Sequence, residues 1–388
     1  MRSSIESRLK ESLDDLENSG LLRKLTRTAR GDHSSELVHF SSNDYLGLSQ
    51  AEFLREAAIS AISKYGTGAG ASRLLRGTLP PHEELELAIS RWKNTESSLV
   101  FTSGYAAALG TISAIVGKND VVLMDKLCHA SLIDGARLSG ALIRVFPHNN
   151  MRKLAALLEW AANAHPVARV LVLTESVFSM DGDRSPLTEI VRLKERHGAW
   201  LMLDEAHAVG VIGAQGRGLA HELNLSGQID IQLGTLSKAL GGCGGYVCGS
   251  KPLIDWLVNK SRSFIYSTAP SPASAAVSLA AVQWLSSEQA SERRATLWKN
   301  ISHFSALRKM SSVPESAIVP IRANSTKTAN QWSSYLHAQG IFVPAIRYPT
   351  VPKGTERLRI TISSNHSQQQ IARLSESLDR LDALDPTA

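Results

Sequence analysis

Lys238 lies in the stretch "LGTLSKALGG" (233–242), where an apolar run that begins at Ile229 gives way to small residues. Surface lysines ordinarily sit among polar neighbours, so this setting points to another task. Other apolar runs also end in chemically useful residues. "LDEAHAVG" supplies Asp204 and His207, "DKLCHAS" supplies His129, and "ESVFSMDGD" supplies Ser179. "FTSGYAA" supplies the Gly104-Tyr105 backbone at a helix start, and Thr235 closes the run before the lysine. Taken singly, loop acids and lone histidines are most often solvated or structural. Their repeated position at the ends of apolar runs is the informative feature.

An amine in an apolar pocket shifts toward its nucleophilic, uncharged form and can make a Schiff base with an aldehyde. A carboxylate can keep a pyridine nitrogen protonated, so that the ring accepts electrons from a substrate carbon. A flat side chain can stack on such a ring, a donor can hold its phenolic oxygen, and a helix start can bind phosphate through N–H groups. The set therefore fits pyridoxal 5′-phosphate, with Asp204 opposite the pyridine nitrogen and Lys238 on the aldehyde. Competing motifs fit less well. "YGTGAGASR" (65–73) is glycine-rich but follows no clear apolar strand, "GKND" lacks P-loop spacing, and no HExxH or paired CxxC occurs. "TSGYA" is not the G-x-S-x-G turn of a serine hydrolase. No metal site is expected.

The elements that must carry these residues are legible as a rhythm. Short apolar runs at 98–101, 121–125, 142–146, 170–175, 200–205 and 229–235 alternate with amphipathic segments such as "MRKLAALLEWAANAH" and "PLTEIVRLKERHG". Glu175, Asp204 and Thr235 end three successive runs 29 and 31 residues apart, the length of a βαβ unit. Continuous apolar strands imply a mostly parallel sheet covered on both faces. In such sheets ligands bind beyond the carboxyl ends of the strands, so five adjacent strand ends are expected to build one site. The first twenty residues carry Ile5, Leu9, Leu13 and Leu16 at helical spacing, with Gly20 as a C-cap. After about residue 270 the pattern changes. "SPASAAVSLAAVQWL" reads as a helix with a Ser-Pro start, "RLRITIS" (357–363) as a strand, and the last stretch as a helix with Ile371, Leu374, Leu378 and Leu381 on one face. The expected layout is an N-terminal helix and arm (1–45), a large α/β domain (46–270) and a smaller α+β domain (271–388).

Composition narrows the classes. The 388 residues are 43% hydrophobic and 20% charged, which is ordinary for a globular protein. The net charge of +6 is spread without a block of like charges, so no nucleic-acid partner is read from it. Cys128, Cys243 and Cys248 lack metal or disulfide spacing. The N-terminus has no apolar signal region, and no run reaches the roughly 18 apolar residues that span a bilayer. A cytoplasmic enzyme without membrane contact is expected.

Longer segments carry a family resemblance. "FSSNDYLGLS", "SRLLRGTLPPHEELE", "FTSGYAAALG", "CHASLIDGARLSGA", "ESVFSMDGDRSPL", "LDEAHAVGVIGAQGRGL", "TLSKALGGCGGYV", "SFIYSTAPSP" and "AIRYPTVPKGTERLRITIS" closely resemble the α-oxoamine synthases, fold-type I pyridoxal-phosphate enzymes, over nearly the whole chain. The resemblance implies that Lys238 is the Schiff-base lysine, His129 the stacking ring, Asp204 the pyridinium partner and His207 the holder of the phenolic oxygen. It further implies Ser179 as a cofactor contact, with Thr235 and the Gly104-Tyr105 backbone at the phosphate. Arg359 of "RLRI" would grip the amino-acid carboxylate, a bidentate task suited to guanidinium. Arg23, Asn43, Thr350 and His129 would meet substrate, in a homodimer whose site lies at the interface. Within the family, "FSMDGD", "QGRGL" and "AIRYPTVPKGTERLRI" favour members that condense L-alanine with a pimeloyl thioester, carried on CoA or a carrier protein. The alternatives are a member that uses glycine or serine with another acyl-CoA, such as glycine with acetyl-CoA, or a noncatalytic thioester-binding homologue. Arg76, Cys243 and Tyr348 depart from the family's usual residues and bear on acyl-chain preference.

Overall fold

The computed structural model describes residues 4–23, 25 and 37–384. Helix α1 (Ile5–Asn18) opens under a Ser4 cap that accepts the Ser7 N–H. Its C-cap is Ser19, one position before the expected Gly20, which follows with φ of 69°. Strand β1 (Val38–His39) comes next, then α2 (Glu52–Tyr65) and α3 (Pro80–Lys93). The glycine-rich segment at 65–73 therefore follows a helix rather than a strand.

The central unit runs through β2 (Ser97–Phe101), α4 (Gly104–Ile115), β3 (Val121–Asp125), α5 (Ala130–Ser139), β4 (Leu142–Phe146), α6 (Met151–Ala164) and β5 (Val170–Glu175). It continues with α7 (Leu187–Arg196), β6 (Trp200–Asp204), the short α8 (Leu219–Glu222), β7 (Ile231–Thr235) and β8 (Gly245–Gly249). These seven strands form one sheet in the order β2-β8-β7-β6-β5-β3-β4. Pairings from β7 to β4 are parallel, while β8 pairs antiparallel with both β2 and β7. The sequence reading missed β8, because "GYVCG" is short and begins and ends in glycine, which disguises a strand. As a result β8 separates the end of β2 from the end of β7, and the five expected strand ends are not all adjacent.

Burial explains the parallel order. Every residue of β3, β7 and β8 is buried, whereas the edge strand β4 exposes Arg144 and Val145. Alternate side chains enter two separate cores. Val121 and Leu123 join one, with Val172 and Leu203, while Val122 and Met124 join the other, with Leu173 and Met202. Such double coverage by helices is what continuous apolar strands require.

Helices α9 (Lys251–Lys260), α10 (Arg262–Ile265) and α11 (Pro272–Trp284) follow, and α11 starts at the predicted Ser-Pro signal and lies against α2 and α3. Next come α12 (Glu288–Leu307), β9 (Ile318–Arg322), α13 (Thr326–Ala338), β10 (Ile341–Phe342), β11 (Ala345–Ile346), β12 (Arg357–Thr361) and α14 (Gln368–Leu384). Strands β11, β12 and β9 make a small antiparallel sheet. Ile371, Leu374, Leu378 and Leu381 of α14 are buried, as their spacing predicts, in the core they share with Leu358 and Ile360 of that sheet, and α14 lies against α12. The arm at 37–50 is stitched to this C-terminal part. Strand β1 pairs with β10, the Phe40 carbonyl accepts the Thr361 N–H at 2.8 Å, and that of Tyr45 accepts Ser364 N–H at 2.9 Å. Asn43 and Tyr45 are thereby carried to the carboxyl edge of the large sheet.

Candidate active site

Lys238 follows β7 in a tight turn, and its Nζ lies 2.7 Å from His207 Nε2. His207 Nδ1 lies 2.5 Å from the Tyr45 hydroxyl, which reaches Asn43 Oδ1 at 3.3 Å. Arg359 Nη2 donates to the same Oδ1 at 3.2 Å. The chain is consistent when Nε2 accepts from the lysine, Nδ1–H donates to Tyr45 and Tyr45 donates to Asn43. Burial, with Lys238, Arg359 and His129 nearby, holds His207 well below its ordinary pKa and therefore neutral.

Burial also lowers Lys238 to about 8, opposed by Asp204 and Glu175 and reinforced by Arg359. An amine in this range is readily available as a nucleophile near neutral pH. Asp204 ends β6 with its side chain buried, and its Oδ1 accepts the Ala206 N–H at 2.9 Å. Burial raises its pKa and Lys238 pulls it back. The next residue, Glu205, does different work. It pairs with the buried Lys93 and accepts the Ala220 N–H at 3.0 Å, which fastens the 205–220 loop to α3. Adjacent acids in "LDEAH" thus divide into one facing the site and one structural.

His129 caps α5. Its N–H donates to Glu175 Oε1 at 2.6 Å and its Nδ1 lies 2.8 Å from Ser131 Oγ, while the ring remains exposed on its outer side. Crowding by the protein on the other side lowers its pKa. On the far flank, Thr235 ends β7, with Oγ1 donating to the Gly244 carbonyl at 3.1 Å. Gly104 opens α4 beside it, and Ser103 caps that helix by accepting the Ala106 N–H. The Gly104 and Tyr105 N–H groups are left at the free helix end. A Cβ on Gly245 would stand 2.5 Å from Gly104 N and Cα, so this strand must bring glycine to let α4 approach. Tyr105 itself is at the rim, its hydroxyl donating to Asp134 at 2.6 Å.

Arg359, on β12, is buried and uses its fork on neutral acceptors. Nε donates to the Ser179 carbonyl at 2.6 Å and Nη1 to Thr361 Oγ1 at 3.0 Å. Among the described residues no carboxylate pairs with it. A buried guanidinium without an acid is able to receive an incoming carboxylate. The "FSMDGD" loop that supplies Ser179 is pinned by Arg357, which donates to Asp181 at 2.6 Å. Gly182 in that loop has φ of 74°, and a Cβ there would meet the Ile318 carbonyl oxygen at 2.2 Å. Arg23 Nη2 donates to Thr350 Oγ1 at 2.8 Å, away from the lysine but beside a cavity of about 930 Å³ lined by Gly20, Leu21, Tyr348 and Lys353.

The predicted residues therefore fall into three groups. Lys238, His207, Asp204, His129, Asn43, Ser179 and Arg359 share the strand-end centre, Gly104, Tyr105 and Thr235 form a helix-start cradle, and Arg23 and Thr350 pair with each other apart from both. Arg76 and Cys243 are exposed, and Lys353 lies over the Tyr348 ring. Sequence reasoning missed Tyr45 and Glu175. Tyr45 lies inside the quoted "FSSNDYLGLS", and Glu175 ends an apolar run, but neither residue type announces a partner on another element. A buried amine of lowered pKa, a neutral imidazole, a strand-end carboxylate and a glycine-lined helix start are the donor set that pyridoxal phosphate requires, so the residues fit that cofactor. Among the described residues no group of acids, histidines or cysteines is arranged to hold a metal, and no helix is long and apolar enough to cross a membrane.

The fold and site define the class: the chain belongs to the aminotransferase class I and II family, whose model matches residues 35–378, and within it to the α-oxoamine synthases. Its relatives include the 8-amino-7-oxononanoate synthases of Thermoanaerobacter pseudethanolicus, 42% identical over 94% of this chain and 93% of that protein, and of Geobacter sulfurreducens, 42% identical over 95% and 96%. Among solved structures, a serine palmitoyltransferase from S. paucimobilis with bound PLP–myriocin superposes with a TM-score of 0.91 at 29% identity, covering 100% of both chains. The 8-amino-7-oxononanoate synthase of Francisella tularensis superposes at 0.77 with 28% identity, over 90% of this chain and 98% of that one.

Proposed function

We propose that this chain condenses L-alanine with a pimeloyl thioester to give 8-amino-7-oxononanoate, the product its relatives are named for, with CO2 and free thiol, a step toward biotin. It is a pyridoxal-phosphate-dependent acyltransferase. The observation that carries the reading is the Lys238–His207–Tyr45–Asn43–Arg359 chain beside Asp204, which puts an amine, a neutral imidazole and a carboxylate-seeking fork within one hydrogen-bonded path.

Lys238, Asp204, His207, His129 and Ser179 would hold the cofactor ring, with Thr235 and the Gly104-Tyr105 N–H groups at its phosphate. When bound, pyridoxal phosphate supplies an electrophilic carbon and a ring able to take up an electron pair. Arg359 seats the alanine carboxylate and so orients the Cα–H bond toward Lys238. With its pKa near 8, Lys238 Nζ takes that proton and later returns one. His207 stays neutral and holds its neighbours in place. The exposed His129 ring faces the incoming thioester, whose oxygen it can polarise. Arg23 and Thr350 meet the acyl chain. The acyl carrier is CoA or a carrier protein, and the working unit is a cytoplasmic homodimer.

The test is a matrix of thiol-release assays with L-alanine, glycine and L-serine against pimeloyl, acetyl, succinyl and palmitoyl thioesters. L-alanine with the pimeloyl thioester is expected to give the highest kcat/KM. A single methyl group discriminates by only about 1–3 kcal/mol, so alanine should lead glycine by roughly ten- to a few-hundredfold. A preference for glycine with acetyl-CoA would overturn the reading.

A further inference from the structure

Glu175 is a fully buried acid at the reacting edge for which the proposed reaction has no use. It ends β5 directly opposite Asp204 of β6 in the parallel register, so the two carboxyl groups project from the same face of the sheet on neighbouring strands. Its Oε1 accepts the His129 N–H at 2.6 Å, which ties the end of β5 to the first turn of α5. We propose that Glu175 is a positioning residue, an uncharged carboxyl that fixes the His129 ring through its backbone and leaves Asp204 as the one negative charge facing Lys238. The inference rests on the pyridoxal-phosphate reading above.

The groups that face Glu175 are Asp125 from β3, Cys128 and His129 from the turn before α5, Asp204 from β6 and Lys238 after β7. Two acids and one amine oppose it, and Lys238 cannot neutralise both Glu175 and Asp204. Side-by-side carboxyls in a dry site do not both ionise. Each acid accepts one backbone N–H, so Lys238 decides between them: it is the leading stabilising partner of Asp204, and Asp204 outweighs Glu175 among the charges acting on the amine. Burial and the neighbouring Asp204 push Glu175 well above the usual carboxylate range, in agreement with the geometry. A protonated carboxyl keeps one carbonyl oxygen as acceptor, and that is all the His129 N–H needs.

The experiment compares Glu175→Gln with Glu175→Leu in the reconstituted holoenzyme. Glutamine keeps an acceptor and carries no charge. It is expected to retain kcat within about threefold, and to move the pH midpoint of the lysine-bound cofactor absorbance by less than about 0.3 pH units. Leucine removes the acceptor, and cofactor affinity and kcat are expected to fall about tenfold. Should the leucine variant not fold, Glu175→Met takes its place, while the glutamine arm decides the charge by itself. A glutamine variant as impaired as leucine, or a midpoint moved by a full pH unit, would overturn the inference, because the negative charge would then be what matters. A leucine variant with unaltered affinity and turnover would overturn it as well. Absence of any lysine-bound absorbance in the unsubstituted protein would instead remove the functional reading on which the inference stands.

Discussion

Two histidines at the carboxyl edge of the same sheet have opposite surroundings. His207, after β6, sits between the Lys238 amine and the Tyr45 hydroxyl, and burial with nearby cations keeps it neutral. His148, after β4, has Asp125 on Nδ1 at 3.0 Å and Asp183 on Nε2 at 2.7 Å. Burial alone would lower its pKa, but the hydrogen bonds to these two carboxylates raise it to about 10. With acceptors on both nitrogens it must carry both protons. The first histidine is part of a proton-handling centre, and the second is a cation at neutral pH that clamps the β3 turn to the "FSMDGD" loop. Residue type alone does not separate these roles; the partners do.

Removal of the partner of His207 should have the largest effect. Lys238→Ala is expected to lower turnover by about a thousandfold or more and to abolish the lysine-bound cofactor absorbance, read by steady-state rates and a visible spectrum. Arg359→Lys keeps the charge but loses the fork. A fall of about 10- to 100-fold in kcat/KM for L-alanine is expected, carried mainly by KM, since a bidentate charge-assisted contact is replaced by a single one.

On the other side of the comparison, His148→Gln should leave catalysis nearly intact and cost about 1–2 kcal/mol of stability at pH 6, measured by denaturant unfolding. The sign follows from a folded pKa of about 10 above an unfolded value near 6.5. The stabilisation is fully present below about pH 6.5 and is lost as pH rises through 10. The difference between wild type and variant should therefore shrink from pH 7 to pH 10, and a constant difference would break the comparison. The smallest effect is expected for Tyr45→Phe, which removes one hydroxyl from the His207 path. It should lower kcat by about two- to tenfold while cofactor binding persists.

The strand ends were legible because parallel strands buried on both faces read as continuous apolar runs, and chemistry collects where such runs stop. That logic located Lys238, Asp204, His207 and His129. Arg359 was found only through family resemblance, because "RLRI" reads as an ordinary strand and its partners, Ser179 and Asn43, are distant in sequence. The arm that carries Tyr45 was opaque for the same reason. Its position depends on a two-residue pairing with β10 and on backbone bonds to Thr361 at the end of β12 and Ser364 beyond it, which no local pattern encodes. β8 escaped detection because glycine at both of its ends, required by the approach of α4 at Gly245 and of Asp230 and Leu253 at Gly249, weakens the strand signal. Glu175 looked like an ordinary strand terminus until its register opposite Asp204 was known.

The central claim is that the cofactor is carried on Lys238. Purified protein reconstituted with pyridoxal phosphate, reduced with borohydride, digested and mapped by mass spectrometry tests it directly. A phosphopyridoxyl group is expected on the peptide containing Lys238 and on no other lysine. Modification at a different lysine, or none at saturating cofactor, would contradict the account.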